Sequence, residues 1–319
     1  MNNDYFNPLR PTNFEEFIGQ NAIINNLKVY IKAALLKDTS LDHTLLVGHA
    51  GVGKTSLAYI IAKELNQKII VINANSIEKP KDIIITLSKL NEGDVLFIDE
   101  IHALNKNCEE VLYSAMEDFY INLNIKNNEK KEIMKFELPP FTLIGATTKV
   151  EELSKPLLDR FSITFNLVNY TISDITKILY NVSKKLEVNY DIDALKKISS
   201  ISRLIPRIAI NYLKRINDYA ITDNINNINK EYVINVLKKI GIKKYGLNDL
   251  DIRYLKMLHK GYNDHPVGIN TITSYLNESK KIVEDIIEKY LIELSFIKKT
   301  SKGRVITSKG ITYLNSLYK

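Results

Sequence analysis

The stretch Gly48-His49-Ala50-Gly51-Val52-Gly53-Lys54-Thr55 has the spacing GxxxxGK[ST] of a phosphate-cradling loop. Its glycines let backbone N–H groups close around phosphate oxygens. Lys54 would bring a positive charge to the β and γ phosphates, and Thr55 would offer a hydroxyl to Mg2+. A helix beginning at the loop adds its positive dipole end. From average residue frequencies, a chain this long shows such a match by chance on the order of one time in a hundred, so nucleotide binding outweighs coincidence. Downstream, Val95-Leu96-Phe97-Ile98 is an apolar strand that closes on Asp99 and Glu100. A strand ending in acids is common by itself. After a P-loop it reads as Walker B: Asp99 would hold Mg2+ through water, and Glu100 would orient and polarise the attacking water. Binding without hydrolysis needs no such glutamate, so ATP hydrolysis is the expected chemistry.

Further candidates surround these two motifs. Thr147 and Thr148 end a later apolar strand, where a hydroxyl could sense the γ-phosphate or hold the water, or simply suit a strand end. Arg160, in Leu158-Asp159-Arg160-Phe161, has the side chain suited to charge spreading over a transferring phosphoryl group, although a lone loop arginine is more often a surface ion pair. Arg207, after Pro206 at a helix start, is a second cation that could reach the γ-phosphate. His102 follows Walker B closely and is assigned no chemistry, because a lone histidine is more often structural.

The elements that must position these groups alternate strand and helix through the first half. Thr44–Val47, Lys68–Ile72, Val95–Ile98 and Phe141–Ile144 are short apolar strands, and Thr55–Leu65 has helical spacing at Leu57, Ile60, Ile61 and Leu65. Continuous apolar strands with intervening helices predict an α/β fold whose parallel sheet is covered on both faces. The polar residues cluster at the strand ends, where such sheets bind ligands. One segment departs from this alternation. Ile121, Leu123 and Ile125, then Met134, Phe136 and Leu138, have period two around a turn candidate at Asn127-Asn128, which predicts a projecting β-hairpin. It is either a decorated loop or a partner-docking element. From about Thr171 to Ile240 the pattern is helical, with Ser173 or Asp174 as a cap for the first helix, Asp191, Ser202 and Asn229 ahead of later ones, and no strong strand. From Gly246, helices over Asp251–Lys260, Asn270–Leu276 and Lys280–Leu291 precede two short strands, Phe296–Lys298 and Val305–Thr307, which suggests a winged helix.

Composition bounds the partners. The chain has 319 residues, 45% of them hydrophobic and 25% charged, enough for more than one domain with ordinary cores. The single cysteine, Cys108, rules out an internal disulfide and fits a reducing compartment. No signal-peptide pattern opens the sequence and no apolar run approaches a membrane span, so a cytoplasmic protein without membrane contact is expected. The net charge of +7 permits nucleic-acid binding without showing it, since Lys-rich composition alone can produce an excess. From Phe296 onward Lys298, Lys299, Lys302, Arg304, Lys309 and Lys319 occur with no acid, which reads either as a solvated face or as a ribbon for sequence-independent phosphate contact.

The linear order of these segments resembles the RuvB family of AAA+ ATPases over nearly the whole chain. The resemblance rests on Leu9-Arg10-Pro11 with Phe17-Ile18-Gly19-Gln20, on Asp99-Glu100-Ile101-His102 with Met116-Glu117-Asp118-Phe119, and on the run Leu138 to Thr148. Pro156-Leu157-Leu158-Asp159-Arg160-Phe161, Pro206-Arg207-Ile208-Ala209, Pro266-Val267-Gly268 and Tyr290-Leu291-Ile292 extend it. It implies an AAA+ core over residues 1–168, a small helical lid over 169–245 and a DNA-binding winged helix over 246–319. It implies an ATP- and Mg2+-dependent motor for branch migration of Holliday junctions in recombination and repair, working as a homo-hexamer on double-stranded DNA. Arg160 would act on the neighbouring subunit's ATP, RuvA would dock on the hairpin at about 120–138, and RuvC would be a further partner. Carried over by position, Leu9, Arg10, Gly51, Gly53, Lys54, Thr55, Ser56, Glu117, Asp118, Phe119, Arg160, Tyr170 and Arg207 would contact nucleotide or its metal, and Lys299 and Arg304 would contact DNA. His49-Ala50, Leu204-Ile205, Asp264-His265 and Lys299 depart from the family pattern, and lysine at 299 loses the bidentate fork of arginine. Two other readings share much of this: a clamp-loader subunit, against which the winged helix and hairpin argue, and an ATP-gated DNA-binding initiator without a power stroke. An inactive paralogue is at odds with the intact Lys54, Asp99, Glu100 and Arg160.

Overall fold

A computed structural model describes residues 8–127 and 130–317, which form two compact units, the first ending at Lys185 and taking in 205–207, the second made of 186–204 and the described residues from Ile208 onward. Chain order in the first unit is α1 (Asn21–Lys37), β1 (Thr44–Val47), α2 (Lys54–Glu64), β2 (Ile69–Asn73), α3 (Pro80–Leu87), β3 (Val95–Asp99) and α4 (Lys106–Glu117). The hairpin β4 (Tyr120–Asn127) and β5 (Lys130–Glu137) follows, then β6 (Thr142–Thr147), α5 (Lys155–Leu158), β7 (Ile163–Asn166) and α6 (Ile172–Lys185). The central sheet has the order β2-β3-β6-β1-β7, with all of its pairings parallel. Its inner strands are buried throughout: β6 is inaccessible at every position, as are Val95–Ile98 in β3. A parallel strand covered on both faces must be apolar along its length rather than alternating. The apolar core on one face joins Leu45, Leu96, Ile98 and Leu143 to α3, α4 and Phe161.

The edge strand β7 alternates buried and exposed residues over only four positions, a pattern the search for continuous apolar runs passes over. The hairpin pairs Ile121 with Phe136 and Leu123 with Met134, the register that period-two patterning predicts. At its base Ile121 and Leu138 are buried while Met134 and Phe136 are exposed. Its turn candidate, Asn127-Asn128, lies partly outside the described residues. The cap of α6 is Thr171, not Ser173 or Asp174. Thr171 Oγ1 accepts the Asp174 N–H at 3.1 Å and the Asp174 carboxylate accepts the Thr171 N–H at 3.1 Å, a reciprocal pair that satisfies orphan donors at the helix start. Among the described residues no helix is long and apolar enough to cross a membrane.

The second unit holds β8 (Asn189–Tyr190), α7 (Ile192–Ile201), most of α8 (Pro206–Thr222), β9 (Asn227–Ile228) and α9 (Lys230–Lys239). β8 and β9 form a short parallel bridge that helical patterning hides. Ser202 closes α7 by donating to Ser199 O at 2.8 Å, and α8 starts later, at Pro206. Next come α10 (Asp249–Lys256), continued as a π-turn over Met257–Gly261, then α11 (Ile269–Leu276) and α12 (Lys280–Ile282). The latter runs through a second π-stretch, Val283–Glu288, into α13 (Lys289–Glu293). The ribbon β10 (Ile297–Thr300) and β11 (Gly303–Ile306) pairs Lys299 with Arg304, and α14 (Ser308–Ser316) closes the chain, a helix the sequence reading lacks. Helices followed by a two-stranded ribbon make the winged helix.

Two buried ion pairs tie this unit together. Arg203, just beyond α7, reaches Asp251 in α10 at 2.6 Å and lies over the Tyr290 ring, 4.4 Å from its centroid. Burial holds the Asp251 carboxyl above the usual carboxylate range despite Arg203 beside it. Beside this pair, Gly246 has φ +68°, and a Cβ there would stand 1.9 Å from Ile201 O, so only glycine lets the chain pass. In the ribbon, Arg304 donates to Glu288 Oε1 at 2.8 Å and to Glu284 Oε1 at 2.7 Å, while Lys299 Nζ stands 2.9 Å from Glu288 Oε2. Glu288 is fully buried. Burial pushes its carboxyl up, but hydrogen bonds from Arg304, Lys299 and Tyr254 outweigh this and leave it below its ordinary value.

Each pair predicts a loss of stability on truncation, since removing one partner strands a buried charge. Arg203→Ala should destabilise the unit by about 3–5 kcal/mol, read as a lower denaturant midpoint, and Asp251→Asn added to it should recover part of that. Arg304→Ala should lower the same midpoint, whereas Lys302→Ala, at an exposed position, should change it by less than about 0.5 kcal/mol.

Candidate nucleotide site

The loop after β1 runs across the C-terminal edge of the sheet and is tied there by Gly48 N–H donating to Thr147 O at 3.1 Å. Gly51 (φ +83°) and Gly53 (φ +108°) adopt left-handed conformations, which glycine takes without steric penalty. Space demands glycine as well. A Cβ on Gly51 would meet Arg207 Cβ at 2.8 Å, and one on Gly53 would meet Phe17 Cζ at 3.0 Å. The loop is therefore wrapped by residues from distant segments: Phe17, Ile205, Arg207 and Tyr170, whose buried hydroxyl donates to Val52 O at 2.8 Å. Burial raises the Tyr170 hydroxyl's pKa well above the ordinary phenol range, so it stays a neutral donor. The opening segment lies along α2, where the Arg10 guanidinium stacks on Tyr59 at 5.4 Å, and Leu9 is buried. Lys185 Nζ donates to Arg10 O at 3.0 Å and pairs with Glu16 at 2.8 Å, fastening that segment to the end of α6.

Lys54 opens α2 and turns its ammonium back into the loop, donating to Gly48 O at 2.7 Å and His49 O at 3.2 Å. Burial lowers its pKa, against Glu100 and Asp99 nearby, with Arg207 adding to the lowering. Asp99, at the end of β3, has its pKa raised by burial and then by Glu100. Arg207 is exposed, yet its charge acts on both Lys54 and Asp99. Two carboxylates, Asp99 and Glu100, thus stand near a buried ammonium and a guanidinium. Thr55 and Ser56 follow Lys54 on the first turn of α2. Among the described residues no cluster of three or more His, Cys, Asp or Glu could hold a metal by itself. One carboxylate and one hydroxyl suit Mg2+, which keeps waters and phosphate oxygens as its other ligands.

Glu100 leaves β3 with φ 52° and ψ 46°, a left-handed conformation that costs a non-glycine residue about 1 kcal/mol or more. Its carboxylate accepts a hydrogen bond from Thr148 Oγ1 at 3.1 Å. His102, left without chemistry in the sequence reading, also stands here: its Nδ1 lies 3.4 Å from Glu100 Oε2 and 3.0 Å from Thr147 Oγ1. Its only signal in the sequence was its place three residues after Asp99.

Arg160 and Glu117 do not join this group. Arg160 precedes β7, whose Ile163 pairs with Thr44 at the N-terminal edge of the sheet. There it is held at 2.7 Å by Glu117, at 3.0 Å by Tyr113 O and at 2.8 Å by Pro156 O, with its guanidinium over the Tyr113 ring. Phe119 packs edge-on against Phe141 at 5.8 Å and against His43 at 6.2 Å, immediately before β1. Asp118 caps the same end of α4. The P-loop lies at the opposite edge, beyond the four residues of β1, a span of about 13 Å. Glu117, Asp118, Phe119 and Arg160 therefore cluster away from their own chain's phosphate loop. A nucleotide contact from them needs a second copy.

Lys299 and Arg304 lie side by side on the ribbon but face Glu288 and Glu284. Arg304 is 13% exposed and bound through Nε and one terminal nitrogen to acids that lie before the tail in sequence; Lys299 is 47% exposed. Of the other basic residues there, Lys298, Lys302 and Lys309 are exposed, and Lys319 lies outside the described residues.

Comparison with known proteins agrees along the whole chain. Residues 9–167 match the family model described as the Holliday junction DNA helicase RuvB P-loop domain, 170–243 the RuvB AAA lid domain and 244–315 the RuvB C-terminal winged helix domain. The Holliday junction branch migration complex subunit RuvB of Orientia tsutsugamushi (strain Ikeda) is 44% identical over 307 residues, covering 96% of this chain and 94% of that protein. Its counterpart in Mycoplasmopsis pulmonis (strain UAB CTIP) is 42% identical over 309 residues, covering 97% and 98%. A solved structure of the Thermotoga maritima RuvB Holliday junction branch migration motor superposes with a TM-score of 0.84 at 37% identity, over 96% of this chain and 98% of that one. With a P-loop parallel sheet, a lid and a winged helix each matched by the corresponding model, the chain belongs to the RuvB family.

Proposed function

We propose that this chain is the ATP-hydrolysing motor subunit that drives branch migration of Holliday junctions, in recombination and repair, as a homo-hexameric ring on double-stranded DNA with RuvA. The observation that carries the ring is the separation of Arg160 from the phosphate loop across one parallel sheet. A head-to-tail interface sets the N-terminal edge of one sheet against the C-terminal edge of the next, and repeated by a closing rotation it makes a ring. Each site then takes its loop from one copy and Arg160, with Glu117, Asp118 and Phe119, from the other.

The residues fit the substrate. Gly51 and Gly53 let the loop take its left-handed turns under the residues packed against it, and Lys54 meets the β and γ oxygens in place of the loop carbonyls that now hold it. Leu9, Arg10 and Tyr170 enclose the base side, and Arg207 faces the phosphates. Thr55 and Asp99 would hold Mg2+, which supplies charge neutralisation on the triphosphate. Glu100 orients the attacking water, with Thr148 fixing the carboxylate. Arg160 of the neighbouring copy must leave Glu117 to stabilise charge on the transferring phosphoryl group, so Glu117 stores the finger between turnovers.

The same reading extends to the rest of the chain. Domain boundaries near residues 168 and 245 follow the family's division. The hairpin docks RuvA, with Met134 and Phe136 as its exposed apolar positions; RuvC is a further partner of the assembled complex. Lys299 meets DNA phosphates directly, together with Lys298 and Lys302 at the ribbon, and Arg304 reaches them only by giving up Glu284 and Glu288. A cytoplasmic location follows from work on the chromosome.

Migration of a synthetic four-way junction, measured with and without ATP and RuvA, tests the function; no ATP-dependent migration would overturn it. Lys54→Ala should lose nucleotide binding, while Glu100→Gln should bind ATP and stall. Arg160→Ala should lower turnover in assembled rings by about a thousandfold. Mixing Lys54→Ala with Arg160→Ala chains tests the shared site, because about a quarter of randomly formed interfaces would then regain both groups. Recovery of ATPase in the mixture is expected, and a mixture as inert as its components counts against sites formed between copies.

A further inference from the structure

We propose that His102 is a positioning residue for hydrolysis, clamping the Glu100 carboxylate to the end of β6. The inference rests on the ATPase reading above and adds a residue that its chemistry leaves unused. The carboxylate of Glu100 has two fixed neighbours at the same oxygen. Thr148 Oγ1 donates to Oε2 at 3.1 Å, and His102 Nδ1 stands 3.4 Å from Oε2. Nδ1 is also 3.0 Å from Thr147 Oγ1, which itself accepts the Lys149 N–H at 2.9 Å. A ring nitrogen facing a carboxylate oxygen and a hydroxyl oxygen is best satisfied as a donor, because a bare lone pair there would oppose the carboxylate. The imidazole thereby joins two elements, the turn Ile101–Ala103 that carries it and the end of β6.

Packing makes the clamp stiff. The His102 side chain is 12% exposed against 27% for Glu100, so the ring is the more fixed partner. Its far nitrogen, Nε2, stands 3.9 Å from Glu152 Oε2, and Glu152 is paired with Lys149. A carboxylate held by one hydroxyl can still turn about its own bonds. An imidazole anchored to Thr147 and standing 3.4 Å from the same oxygen narrows that turning, which is what aiming a water at a phosphorus requires. The left-handed backbone at Glu100 adds to the need, because the strand alone does not direct this side chain.

The test uses the full chain and compares three substitutions by steady-state ATPase, by affinity for a fluorescent ADP analogue and by thermal melting. Asparagine places an amide nitrogen near the position of Nδ1, glutamine near that of Nε2, and leucine removes both. His102→Leu and His102→Gln should lower kcat by roughly tenfold or more while KM and analogue affinity stay within about twofold. His102→Asn should keep most of the turnover. In a Glu100→Gln background, adding His102→Leu should reduce the residual rate no further, because the group it positions is already gone. If leucine destabilises the fold, the Asn and Gln pair carries the comparison. Wild-type turnover in His102→Gln and His102→Leu overturns the proposal, as does equal loss in the Asn and Gln variants. A wild-type chain that cannot hydrolyse ATP at all overturns the ATPase reading, and this inference with it.

Discussion

Every strand of the central sheet runs in one direction, and that polarity gives the sheet two chemically different edges. At the C-terminal edge the strands release Gly48, Asp99 and Thr147, whose side chains and loops can face a polyanion while helix N-termini point the same way. At the N-terminal edge stand His43, Phe119 and, before β7, Arg160. Among the described residues Arg160 stays at that edge, held by Glu117, Tyr113 O and Pro156 O. The site proposed above draws on both edges, and so would take one edge from each of two copies. Within one chain Arg160 is paired with Glu117 at 2.7 Å.

The phosphate edge is held in shape by contacts remote in sequence. Gly51 and Gly53 owe their identity to conformation and also to what leans on them, namely Arg207 and Phe17. Tyr170 fastens the loop through Val52 O, and Gly19 leaves room for the Tyr170 ring, since a Cβ there would lie 2.8 Å from its Cε1. The opening segment, the loop and the entry to α6 thus form one packed unit, so a nucleotide that displaces one of them acts on the others. Residues as early as Phe17 and as late as Arg207 meet at one loop.

Much of this was legible in the sequence, for reasons specific to each part. The loop at Gly48–Thr55 and the strand ending at Asp99 are set by short-range chemistry, so their patterns survive without tertiary information. The buried strands β1, β3 and β6 show as apolar runs because both their faces are covered. The edge strand β7 did not, because it is half exposed and short. Thr171 was passed over as a cap in favour of Ser173 and Asp174 because all have suitable side chains and only the backbone decides which lies outside the helix. His102 was unreadable for a different reason. Its role lies in a meeting with Thr147 and Glu100 across two strands, and no spacing rule encodes a meeting set by strand order.

The C-terminal ribbon shows the limit of linear charge counting most clearly. From Phe296 onward the sequence has cations and no acids, which reads as a surface for phosphates. Folding brings Glu284 and Glu288 from the preceding helix beneath it, and the fully buried Glu288 takes up Arg304 and Lys299 together. A carboxylate in that position is stable only while it stays paired, so Arg304 is a structural strut before it is anything else. What remains for a polyanion is the outward charge of Lys298 and Lys302 with the exposed part of Lys299. Lysines are point charges without a fork to read geometry, and a motor that must pass over every sequence gains from contacts that recognise none. Lysine at position 299 lacks an arginine's fork, and it is Arg304 that makes the forked contact with Glu284 and Glu288 that holds the ribbon's shape.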